Sequence, residues 1–74
     1  MYDRRMSPYE RLTVNLVQRG AEALAKASEL TGHTKTDTVN RALQVYAYLE
    51  EVRAQGGEVL IRRSGGEIEM INFL

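Results

Sequence analysis

This chain has no cysteine, and only one histidine and one proline, in 74 residues. Without thiols it can form neither a disulfide framework nor a thiolate zinc site, and His33 cannot anchor a metal alone. No apolar run approaches the roughly 18 to 20 residues of a membrane span, and residues 1–7 lack the layout of a signal peptide. These absences lead us to expect a cytoplasmic protein with no membrane association, no metal and no cofactor. A net charge is missing too: ten basic residues balance ten acidic ones. That excludes a binder of polyanions driven by bulk charge, although the balance is uneven along the chain. Residues 1–41 hold seven basic against five acidic side chains, and the remainder holds three against five. An anionic partner is therefore expected at the N-terminal part.

Catalytic groupings are thin. His33 falls in a turn, where capping a helix or touching a phosphate suits it better than general-base work. Glu50, Glu51, Glu58, Glu67 and Glu69 read as a solvated face, because nothing in their spacing makes ligands converge. Ser64-Gly65-Gly66 lacks the lysine and the following helix of a phosphate loop. We therefore expect no enzyme and no catalytic residue.

What the chain does have is a change of period. In E-R-L-T-V-N-L, residues 10–16, polar and apolar side chains alternate as in a half-buried strand. From Val17 a helical stripe takes over: Ala21, Leu24, Ala27 or Ser28, and Thr31, with Gly32 as the terminator. Leu30 falls off that stripe. Thr34-Lys35-Thr36-Asp37 then has the form of a capping box, in which Thr34 accepts a backbone N–H three residues on and Asp37 reaches back. The second helix that starts here carries Val39, Ala42, Leu43, Tyr46 and Leu49, widened by Val45 and Val52, and Gly56-Gly57 stops it. At roughly 1.5 Å per residue it would be near 30 Å long, more than one small monomer covers. Tyr48 points away from the stripe.

The end of the chain reads as a β-hairpin, E-V-L-I-R-R and E-I-E-M-I-N around Ser64-Gly65-Gly66. Taking Gly65-Gly66 as a two-residue loop sets Arg62 opposite Glu69, Ile61 opposite Met70 and Leu60 opposite Ile71, all reasonable cross-strand pairs. One hairpin face, with Val59, Ile61, Ile68 and Met70 or with Leu60, Ile71 and Phe73, should pack on the second helix. The other is left for a partner protomer, a neighbouring dimer or another protein.

A seven-residue strand ahead of two helices needs a mate for its backbone groups. If that mate is the same strand of a second chain, Leu12, Val14 and Leu16 of both copies turn onto the helices. Arg11, Thr13 and Asn15 of both copies then line the opposite face. A two-stranded ribbon fits the major groove of B-DNA. Arginine can grip guanine O6 and N7, asparagine can pair with adenine N6 and N7, and threonine offers a hydroxyl and a methyl. The plainer reading is that these three side chains are only the wet face of a strand. Thr34, Lys35 and Thr36 weigh against it: free N–H groups, a helix dipole and a cation form an anion site at a helix start, where the dipole alone would not favour lysine.

In this order of elements the chain resembles the ribbon-helix-helix DNA-binding proteins, which read the major groove with a β-ribbon. The resemblance rests on R-L-T-V-N-L (Arg11 to Leu16) and on G-H-T-K-T-D-T-V-N-R-A-L (Gly32 to Leu43), and spans about Glu10 to Tyr48. It implies a mainly α fold with short β, an intertwined homodimer, here extended by a C-terminal β-hairpin. It implies base contacts from Arg11, Thr13 and Asn15, and phosphate contacts from Thr34, Lys35 and Thr36. The dimer core would hold Leu12, Val14, Leu16, Leu24, Val39, Leu43 and Tyr46. Arg4 and Arg5, in an N-terminal arm, are further candidates for phosphate. We divide the chain into that arm (1–9), a DNA-binding domain (10–55) and the hairpin extension (56–74).

The function expected is sequence-specific regulation of transcription, as a repressor on a double-stranded DNA operator, with dimers able to assemble side by side. Two rivals stand beside it. In one, an antitoxin uses the same ribbon while its hairpin holds a toxin. In the other, a protein-interaction module without DNA zips residues 10–16 to its own hairpin in one sheet.

Overall fold

A computed structural model describes residues 10–72. Two helices and a two-stranded antiparallel sheet make up the fold: α1 (Gln18–Thr31), α2 (Lys35–Ala54), β1 (Leu60–Arg62) and β2 (Ile68–Met70). Among the described residues no helix is long and apolar enough to cross a membrane.

Each helix stops where the sequence signals it. Gly32 takes a left-handed φ of 77° and donates its N–H to the Ser28 carbonyl at 2.8 Å, a single-bond cap. The end of α2 is a double cap: Gly56, at φ 85°, donates to the Arg53 carbonyl at 3.0 Å and Gly57 to the Val52 carbonyl at 2.9 Å. A Cβ on Gly57 would sit 2.7 Å from Val52 Cγ1, so that position is held to glycine by space as well. At the start of α2, the Thr34 hydroxyl accepts the Asp37 N–H at 3.1 Å. That is the forward half of the expected capping box; the return bond from Asp37 is not among the hydrogen bonds of the described residues.

The hairpin corrects our expected register. Leu60 pairs with Met70, Ile61 with Glu69 and Arg62 with Ile68, one residue out from the pairing set by a two-residue loop. The turn decides this. A two-residue type I′ loop needs positive φ at both glycines, yet of the two only Gly66 has it, at 93°. Gly66 donates to the Arg63 carbonyl at 2.8 Å and Arg63 to the Glu67 carbonyl at 2.7 Å, closing a three-residue loop with a left-handed third residue. Cross-strand side-chain pairs, at roughly 0.2–1 kcal/mol each, do not outweigh a well-formed turn. The faces change accordingly: Leu60, Arg62, Ile68 and Met70 share one, and Val59, Ile61, Arg63, Glu67, Glu69 and Ile71 the other. Arg63, rather than Arg62, forms the ion pair with Glu69, at 3.0 Å.

A second correction concerns packing. The hairpin does not lie on α2: the contacts between elements are those of α1 with α2 and of β1 with β2. Nor does it take in residues 10–16, because the sheet consists of β1 and β2 alone.

No apolar residue in the described chain is buried; Thr38, 8% exposed, is the one residue that is. The radius of gyration, 15.5 Å, exceeds the roughly 11 Å of a compact domain this long. The helices contact each other, and two apolar grooves lie along them. One, of about 330 Å³, is lined by Leu16, Leu24, Val39 and Leu43 around Gly20 and Ala23. The other, of about 460 Å³, is lined by Val45, Tyr46 and Leu49 with Thr31, His33 and Arg41. Ala27, Thr38 and Ala42 border both.

Candidate nucleic-acid interface

Residues 10–17 lead into α1 without secondary structure of their own. Their alternation fits a strand, but a strand exists only where a second one accepts its hydrogen bonds, and none of the described residues supplies one. The first backbone bond after them is from the Ala21 N–H to the Val17 carbonyl, at 2.9 Å. Val17 is still extended, with φ −71° and ψ 166°. Arg11, Thr13 and Asn15 are exposed, as the reading role requires. Leu12 and Val14 are exposed as well, at 72% and 62%. Leu16 is the point where the segment touches the helices: it packs beside Gly20 and enters the groove with Leu24, Val39 and Leu43. Four of the seven expected core residues therefore line one groove. Tyr46 lines the other, and Leu12 and Val14 join neither.

The start of α2 is a separate cluster. Thr34 caps it and its carbonyl accepts the Thr38 N–H at 2.9 Å. The N–H groups of Lys35 and Thr36 belong to the first turn, where no helical carbonyl precedes them. They point out along the positive end of the dipole, beside the exposed Lys35 ammonium and Thr36 hydroxyl. Asp37, in the same turn, offsets part of that potential. The Thr36 carbonyl is occupied by the Asn40 amide at 2.8 Å, which stiffens the turn without blocking its open end. Arg4 and Arg5 lie outside the described residues.

Three residues that hold this cluster in place carry no strong signal in the sequence. Thr38 donates its hydroxyl to the Thr34 carbonyl at 2.7 Å and stands between the two grooves. Ser28 donates to the His33 carbonyl at 2.5 Å, and Thr31 accepts the His33 N–H at 3.1 Å. Together they lock the turn that aims α2. A threonine or serine in a helix is usually a mild misfit, so its local bond is visible only in coordinates.

Tyr46 is raised above the usual phenol value because its hydroxyl donates to the Glu50 carboxylate, whose charge adds to the effect. Arg53 grips both oxygens of Glu50 at 3.1 Å.

The arrangement presents exposed polar side chains on residues 10–16, free N–H groups with a lysine at a helix start, and two apolar grooves. In comparison with known proteins, no family model, no curated protein and no solved structure matches this chain.

Proposed function

We propose that this chain is a sequence-specific DNA-binding regulator of transcription, of the ribbon-helix-helix kind, working as an intertwined homodimer that represses by occupying the major groove. The observation that carries the reading is the state of residues 10–17. Their backbone finds no mate among the described residues, their polar side chains are exposed, and Leu16 anchors them to a groove that the described residues leave uncovered. A second copy supplies both missing pieces at once: a strand for the ribbon and apolar side chains for the grooves. Arg11, Thr13 and Asn15 from two chains then form the base-reading face, and Thr34, Lys35 and Thr36 hold a phosphate at each end.

The interaction module built on one intrachain sheet draws no support from the fold, in which the sheet of the described residues is β1 with β2. The antitoxin reading keeps one point in its favour, a hairpin that stands clear of its own helices. Co-purification with a second, different chain would select it.

The test is a mobility-shift titration on the DNA upstream of the protein's own gene, wild type beside Asn15→Ala, with mass in solution measured in parallel. Loss of sequence preference in a variant that remains dimeric is the expected result. Unchanged preference would remove Asn15 from base reading, and a monomeric wild type would remove the ribbon.

A further inference from the structure

We draw no further inference here: the strongest candidate, the apolar groove of about 460 Å³ lined by Val45, Tyr46 and Leu49 of α2, belongs to the dimer surface already proposed, and nothing among the described residues shows another occupant.

Discussion

At the scale of single residues, roles divide between those that shape the chain and those held ready for a ligand. Thr34 does the first: its hydroxyl satisfies the Asp37 N–H at 3.1 Å. Thr34→Ala should lower stability by about 1 kcal/mol, and Thr34→Ser should restore most of it, as measured by urea unfolding. Asn15 and Lys35 would belong to the second group if the proposed function holds. On the proposed function, Asn15→Ala should cost about 1–3 kcal/mol of discrimination at one base position in each half-site, read from binding to single-base operator variants. Lys35→Ala should weaken all sequences alike and lower the salt slope by about 2 per dimer, one for each phosphate no longer neutralised. Tyr46 makes a pH prediction. Its phenol is raised in the folded chain by the bond to Glu50, so the stabilisation is complete below the ordinary value of 10.0. It is lost as pH rises through the folded value. The stability difference between wild type and Tyr46→Phe should therefore hold below pH 10.0 and shrink as the pH rises above it in urea melts.

At the scale of elements, backbone geometry overrides side-chain preference. The clearest case is the hairpin, where the left-handed Gly66 sets a three-residue loop and with it the register of every pair. Gly66→Ala forces a side chain into that conformation at about 1–2 kcal/mol, and a hairpin this small has little to offset it. Amide exchange should then lose protection at Arg63 and Ile71, whose N–H groups close the two ends of the ladder. The helices behave differently. Their ends match the glycines and the threonine cap, because capping is a contact between near neighbours. The width of the apolar surface on α2 is also readable, since Val45, Tyr46, Tyr48 and Leu49 cannot share one narrow stripe. Tyr48, 64% exposed, and Leu30, 77% exposed, are left facing outward.

At the scale of the whole molecule, the controlling fact is that a single copy has no buried apolar residue among those described. Hydrophobic burial is the main term opposing chain entropy, so this conformation has little to hold it together alone. We expect folding to be coupled to association. Circular dichroism melts should shift upward with protein concentration, each tenfold increase adding about 1.4 kcal/mol to the association equilibrium. Leu43→Glu, in the groove shared by Leu16, Leu24 and Val39, should abolish both the dimer and the helical signal. A melt independent of concentration would refute the coupling.

What the sequence determined by itself is whatever depends on residues within a few positions of each other: both helices, their caps at Gly32, Thr34 and Gly56, and the existence of a glycine-turned hairpin. The alternation at residues 10–16 was equally legible, but its lack of a mate among the described residues was not, because pairing is a long-range choice. Only the tertiary structure decided the hairpin register, the separation of the hairpin from α2, and the meeting of Leu16 with Val39 and Leu43. The first two turn on backbone torsions at one or two linking residues, Gly66 for the register and Gly56 with Gly57 for the exit from α2. Residue type narrows such a torsion without naming its value, and a small change there redirects everything that follows.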